Sequence, residues 1–294
     1  MKLTPFIKWI GGKTQLLPEI LPILPERYNL YFEPFLGGGS VFLNLAPKKA
    51  FIGDTNQQLM NLYRVIATHV YDLIDRIKAL DSVQVSSEYY YQLRAKFNAK
   101  IISQDLDTEQ AALLVWLNKH CYNGLYRVNS RGLLNAAWNK DTNINTCDFN
   151  NLLQIHNYFS LNEIGFYCCD FSRTCQHVSK GDLVYFDSPY MPIGNTEDFT
   201  KYTKEQFTTT DHLRLRKLFG DLDKKGAYLI MSNSNAPTVH RLYKGYNIKI
   251  VKARRNVNCN VTGRTGTEAI ITNYEAATSA SESRLPLFRV LENV

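Results

Sequence analysis

Short runs of β-branched and aromatic residues that end in Asp, Gly or Pro alternate along the chain with stretches of helical spacing. That rhythm predicts an α/β sheet covered on both faces. The predicted strands are 30–34, 50–54, 165–170, 183–187, 227–232, 246–252 and 268–273. The rhythm stops after Asp54 and resumes near Ile164. In between, 59–80, 89–100 and 109–119 carry helical spacing, and 123–145 holds Gly, Asn and Arg without strong periodicity. This predicts a helical insertion over roughly residues 56–145. The last two strands flank a polar stretch, 254–267, with Arg254, Arg255 and Arg264, which predicts a hairpin with a long basic tip. After Tyr274 the composition turns to Ala and Ser and then reaches Arg284-Leu-Pro-Leu-Phe288, the pattern of a flexible linker carrying a short apolar peptide.

Composition narrows the class. With 294 residues, 45% hydrophobic and 21% charged, the chain buries a core, which excludes disordered, collagen-like and coiled-coil readings. Lys and Arg number 34 against 27 Asp and Glu, and a net charge of +7 favours a polyanionic partner such as nucleic acid. The six cysteines, at 121, 147, 168, 169, 175 and 259, form no CxxC pair and no His-rich spacing. No zinc site, other metal site or disulfide framework is expected, and the thiols are read as reduced in a cytosol. The most apolar run, 111–117, is far shorter than the ~20 residues that cross a bilayer, so no membrane association is expected.

Three motifs carry chemistry. Glu33-Pro-Phe-Leu-Gly-Gly-Gly-Ser40 runs from a strand end through a glycine loop into the short helix begun by Val41-Phe-Leu. Glycine lets the backbone approach a ligand, and the helix start presents free N–H groups. Phe42 stands where a dinucleotide fingerprint has its third glycine. Asp54 closes the next strand, where a carboxylate can accept hydrogen bonds from ribose hydroxyls; loop and acid together suggest a nucleoside-containing cofactor. In the second motif, Asp182-Leu-Val-Tyr-Phe-Asp187-Ser-Pro-Tyr190, a buried strand delivers an acid, a proline and an aromatic to its carboxyl end, where ligands sit in open α/β sheets. Asp54 and Asp187 would meet there if their strands lie close together. The third, Lys8-Trp-Ile-Gly-Gly-Lys-Thr14, imitates a phosphate loop at Gly12-Lys13-Thr14, but Ile7 stands where the leading glycine is required, which argues against an NTPase.

Taken in order and spacing, Lys8 to Lys13, Glu33 to Phe42, Asp54 and Asp187-Ser-Pro-Tyr190 resemble the Dam-type DNA adenine-N6 methyltransferases over about residues 6–274. The resemblance implies S-adenosylmethionine (AdoMet) as cofactor. It also implies a Rossmann-like sheet ending in an antiparallel hairpin, with an inserted helical target-recognition domain. Residues 1–55 and 146–275 would then form the catalytic domain, 56–145 the recognition domain and 276–294 a flexible tail. By the same resemblance Trp9, Lys13, Phe35, Gly37, Asp54 and Asp187 line the cofactor pocket, and Asp187, Ser188, Pro189 and Tyr190 surround a flipped adenine. Tyr122-Asn-Gly-Leu-Tyr-Arg-Val-Asn129 resembles the recognition segment of members that methylate GATC. Leu125 and Arg127 would read bases, Tyr122 would wedge into the stack, Lys8 would touch the first guanine, and Asn123 and Asn129 would join them at the double-stranded DNA. Ser188 departs from the family's usual proline, and Asn135-Ala-Ala-Trp-Asn139 departs from the usual continuation of the segment.

Other readings of the same residues stand beside this one. Trp9, Phe35 and Tyr122 also suit plain core packing, and Arg127 also suits a phosphate contact. A DNA-binding protein with a decayed site, or an enzyme methylating an amine of RNA or protein, would share much of the pattern. The tail peptide Arg284–Phe288 resembles those that insert into the bacterial sliding clamp. The expected enzyme is a cytoplasmic monomer, either free-standing or part of a restriction-modification pair, and its site is GATC or a longer one containing GAT.

Overall fold

The computed structural model describes residues 3–192, 207–254 and 265–275. Its centre is a seven-stranded sheet built from β1 (Tyr31–Glu33), β2 (Lys49–Asp54), β3 (Glu163–Cys168), β4 (Leu183–Phe186), β5 (Tyr228–Ser234), β6 (Asn247–Arg254) and β7 (Thr265–Thr272). The order is β3-β2-β1-β4-β5-β7-β6, with β7 antiparallel to both neighbours and the other pairs parallel. Every residue of β1 and β4 is buried, which is why β4, Leu-Val-Tyr-Phe, reads as an unbroken apolar run rather than an alternating one. From β1 the chain steps outward to β2 and β3, whereas β4 and β5 step the other way. The order of strand addition therefore reverses between the parallel strands β1 and β4, and the crevice at their carboxyl ends is the place where open α/β sheets bind ligands.

Between β2 and β3 the chain forms α3 (Gln57–Thr68), α4 (Val70–Asp81), α5 (Ser87–Ser103), α6 (Thr108–His120) and, after an irregular stretch, α7 (Phe149–Leu161). The shorter helices α1 (Leu17–Ile20) and α2 (Ser40–Leu45) precede them, and α8 (Phe171–Thr174), α9 (Thr209–Lys224) and α10 (Pro237–Leu242) follow. Asn56, Ser86, Asp107 and Asp148 each start a helix by accepting the backbone N–H three residues on, as N-caps do. The apolar run of α6, Ala111 to Leu117, is wholly buried and packs against α3, α4 and α5. Its side chains belong to the same apolar cluster as Tyr31 and Leu43 beside the sheet, with Tyr63 and Leu152 between.

Some boundaries differ from the sequence pattern. The helix expected over 59–80 is two, broken at His69 (φ −136°, ψ 37°), where the Thr68 hydroxyl donates back to the Arg64 carbonyl at 2.8 Å. β3 begins two residues earlier than expected and ends at Cys168. Pairing in the final hairpin runs out to Arg254 opposite Thr265, so the tip is shorter than expected; Arg255 and Arg264 lie outside the described residues, as do the tail and Arg284–Phe288. Among the described residues no helix is long and apolar enough to cross a membrane.

Candidate active site and nucleic-acid interface

Asp187 is the first residue beyond β4. Its Oδ1 pairs with Lys13 Nζ at 2.6 Å and accepts the Ser232 hydroxyl at 3.0 Å. Lys13 is 6% exposed; it also donates to the Gly11 carbonyl at 2.5 Å and lies 4.8 Å from the Tyr190 ring centre. Burial raises the Asp187 carboxyl above the usual aspartate range, while the Lys13 charge and hydrogen bond and the Ser232 hydroxyl pull the other way. The loop after it is fastened to the end of β5. Asn233 Oδ1 accepts Met191 N at 3.0 Å, Asn233 Nδ2 lies 3.4 Å from the buried Ser188 Oγ, and the Ser234 hydroxyl donates to the Met191 carbonyl at 2.6 Å. Pro189 faces solvent. The Tyr190 hydroxyl donates to the Glu268 carboxylate of β7.

The glycine loop follows β1. Gly37 (φ 50°) and Gly39 (φ 67°) are left-handed, a conformation that favours glycine. There is also no room for a side chain, since a Cβ on Gly37 would sit 2.9 Å from Trp9 Cδ1 and one on Gly39 2.6 Å from the Tyr63 hydroxyl. Gly37 N donates to Asp54 Oδ2 at 3.0 Å and Asn56 N to Asp54 Oδ1 at 2.9 Å. Burial raises the Asp54 carboxyl, and these backbone donors oppose the rise. Phe35 stacks on Phe171, with ring centres 5.3 Å apart. Asp54 and Asp187 lie at the same carboxyl end of the sheet without meeting: β1 runs between β2 and β4, and its last residue, Glu33, lies level with Ile52, two residues before Asp54. Glu33 is 2% exposed and accepts the Tyr31 hydroxyl at 2.5 Å. Burial above all drives its carboxyl well above the usual range.

The irregular stretch after α6 is an antiparallel ribbon with few regular bonds. Cys121 bridges Trp138 and Val128 bridges Leu134, with Tyr122 N donating to the Ala137 carbonyl and Asn135 N to the Arg127 carbonyl. Asn129 Oδ1 closes the turn by accepting Arg131 N at 2.9 Å and Leu133 N at 3.1 Å. One face of α5 supports the return strand: Tyr90 and Arg94 donate to the Ala136 carbonyl at 3.0 and 2.9 Å, and Asn98 bonds both backbone groups of Leu134. Their spacing of four places them on one helix face. Tyr122 (59% exposed), Asn123, Arg127 and Lys8 face solvent, and Leu125 is half-buried. The Arg127 guanidinium is oriented by Asn135, whose Oδ1 accepts its Nε at 2.9 Å.

Asn118 ties the ribbon to the N-terminal motif. Its Oδ1 accepts Lys8 N at 2.9 Å, and its Nδ2 donates to the Lys8 and Gly124 carbonyls at 2.8 and 3.1 Å. Trp9 and Tyr126 stack with ring centres 5.2 Å apart and 23° between planes. The structure thus gathers Lys13, Asp187 and Tyr190 in one place, Trp9, Gly37 and Asp54 around the glycine loop beside it, and Lys8, Tyr122, Asn123, Leu125 and Arg127 along the ribbon.

A model of the D12 class N6 adenine-specific DNA methyltransferases matches residues 9–257. The chain belongs to that family. The methyltransferase is 40% identical over 275 residues to the type II methyltransferase M1.LlaDCHI of Lactococcus lactis subsp. cremoris, covering 93% of this chain and 96% of that one. It is 38% identical to the type II methyltransferase M.MjaIII of Methanocaldococcus jannaschii, over 93% of this chain and all of that one. It is also 30% identical to the DNA adenine methylase of Escherichia coli (strain K12), over 92% and 95% of the two chains. The expected α/β methyltransferase fold and the adenine-N6 DNA methyltransferase activity therefore hold.

Sequence reasoning missed the Ser232-Asn233-Ser234 brace, Glu33 and Glu268 as partners of the site, and Asn118, Tyr126 and the α5 ladder. The one available signal was the polar run that closes the otherwise apolar β5; Glu33, Glu268, Asn118 and the α5 residues are isolated positions inside ordinary helices and strands, and Tyr126 is one aromatic in an aperiodic stretch.

Proposed function

We propose that the methyltransferase uses AdoMet to methylate N6 of an adenine extruded from duplex DNA, within GATC. The observation that carries this reading is Asp187. It is a carboxylate held at the carboxyl end of β4, beside the point where the strand order reverses, with Ser188 next to it and the Tyr190 ring close by. Adenine N6 is a poor nucleophile because its lone pair is delocalised into the ring. Asp187 and the Ser188 carbonyl accept its two hydrogens and favour a more tetrahedral nitrogen, a preorganised electrostatic effect that does not require prior proton removal. Lys13 pairs with Asp187 Oδ1, so an amino group approaching that oxygen competes with the ammonium. Pro189 keeps Ser188 extended, and Tyr190 stacks on the base, whose extrusion costs a few kcal/mol.

AdoMet supplies an electrophilic sulfonium methyl. The site suits it: left-handed glycines bring the backbone close, Asp54 offers a fixed carboxylate acceptor for ribose hydroxyls, and Trp9, Phe35 and Gly37 wall the loop. Residues 1–55 and 146–275 act as the catalytic part and 56–145 as the recognition part. There Arg127, already aimed by Asn135, reads a guanine, Leu125 contacts a base, Tyr122 enters the stack, and Lys8 and Asn123 complete the surface. Asn129 reaches DNA only through its amide nitrogen, since its oxygen holds the turn. Incubation with AdoMet and a mixed-sequence duplex, with N6-methyladenine mapped by position, tests this. Methyl groups confined to GATC support it; methylation elsewhere discards the specificity, and cofactor binding without turnover discards the roles given to Asp187 and Ser188.

A further inference from the structure

Trp9 is held from two sides that belong to different halves of the molecule. On one side lies the glycine loop, close enough that a Cβ on Gly37 would fall 2.9 Å from Trp9 Cδ1 and one on Gly38 3.2 Å from Trp9 Cβ. On the other lies Tyr126, whose ring covers Trp9 in a near-parallel stack. Tyr126 belongs to the segment that carries Leu125 and Arg127, one residue from each. Its phenol reaches toward Asn56, the cap of α3, whose N–H is bound to Asp54. Asn118 locks the neighbouring backbones of Lys8 and Gly124 together, so the two segments cannot slide apart independently; Lys8 crosses Gly124 so tightly that a Cβ there would lie 2.4 Å from Lys8 Cδ.

We infer that Tyr126 is a positioning residue that couples the cofactor pocket to sequence readout. A ligand seated in the glycine loop fixes the Trp9 ring, Trp9 fixes Tyr126, and Tyr126 fixes the backbone that aims Leu125 and Arg127. Flat, stacked rings transmit a position and not merely an apolar contact, so a side chain of similar bulk without a ring cannot substitute. The inference rests on the assignment of Trp9 to the cofactor pocket and of 122–129 to DNA. Linkage then requires reciprocity: cofactor must tighten DNA binding by the same factor as DNA tightens cofactor binding.

The test is that factor, measured on the full chain with a GATC duplex and S-adenosylhomocysteine, which binds without turnover. In the unaltered protein each ligand is expected to tighten the other by about tenfold, within the usual range of such couplings. In Tyr126→Ala both factors fall together toward one, and in Tyr126→Phe they persist. Should Tyr126→Ala fail to fold, Tyr126→Leu keeps the bulk without the ring and is expected to lose the coupling as well. An unchanged factor in Ala or Leu, loss in Phe equal to that in Ala, or no coupling in the unaltered protein overturns the inference. Coupling that behaves as described on the GATC duplex, when that duplex is not itself methylated, overturns the GATC assignment instead, and leaves Tyr126 where it is.

Discussion

The carboxyl end of the sheet and the 121–139 ribbon solve opposite problems in one chain. At the sheet end, Asp187, Lys13, Ser188, Ser232 and Asn233 are held by side-chain bonds that converge from three elements, and Lys13, Ser188, Ser232 and Asn233 are buried. The ribbon leaves Tyr122, Asn123 and Arg127 to solvent and takes its shape from a few side-chain clamps reaching its backbone from α5 and α6. Methyl transfer needs acceptors whose orientation is settled before substrate arrives, whereas reading a duplex needs donors that stay accessible and can adjust to a groove. Burial enforces the first and would prevent the second.

Five changes probe that contrast. Asp187→Ala should lower the methylation rate by at least 10²–10³-fold, the scale of losing one preorganised partner, while gel-shift affinity for DNA stays close to that of the parent; retained turnover would break the division between the regions. Arg127→Ala should cost about 1–3 kcal/mol of discrimination at one guanine, seen as raised activity on duplexes altered at that base pair, with cofactor affinity unchanged. Asn98→Ala leaves both backbone groups of Leu134 without partners at a cost of about 1–2 kcal/mol. Thermal melting should fall and the KM for DNA rise, with kcat at saturating DNA preserved.

The fourth change concerns pH. The Asp187 carboxyl is raised by burial and must be ionised to accept the N6 hydrogens, so the acid limb of kcat/KM lies above the ordinary aspartate value of ~3.9. Lys13→Met removes the cation that opposes the rise, and should move the limb further up in a pH profile at saturating AdoMet. The smallest effect is expected at Glu33. Its folded carboxyl is raised, so the folded chain holds this proton more tightly than the unfolded one. That stabilisation is complete below the unfolded value of ~4.3 and is lost as pH climbs through the raised folded one. Glu33→Gln, neutral at every pH, should alter stability by less than about 1 kcal/mol at acid pH and should flatten this decline in denaturant titrations. A steeper decline would show that the sheet end depends on a charged Glu33.

Much of the sheet was legible because its signals are local. Period-two and all-apolar runs ending in Asp54 and Asp187 mark strands and their carboxyl ends, and three consecutive glycines mark a backbone that must turn left-handed. The break at His69 was not legible, because Gln57 to Asp81 keeps helical spacing through it, and the break is local to the backbone of His69, beside the hydroxyl of Thr68. The ribbon was seen only as aperiodic, since its bonds are supplied by Tyr90, Arg94, Asn98 and Asn118 on helices that precede it in sequence.

The sequence alone determined which residues are chemically equipped: the acids at strand ends, the glycine loop, the aromatics and arginine of residues 122–129, and the alternation that builds the sheet. These follow from nearest-neighbour periodicity and from side-chain chemistry, both carried within a few residues. Tertiary structure decided which of them meet. Lys13 reaches Asp187 across 174 positions, Asn118 reaches Lys8 across 110, and β1, with Glu33 at its end, comes to lie between the strands that lead to Asp54 and Asp187. Such pairings depend on strand order and on the path of the insertion over the sheet, and no periodicity along the chain encodes a distance of that length.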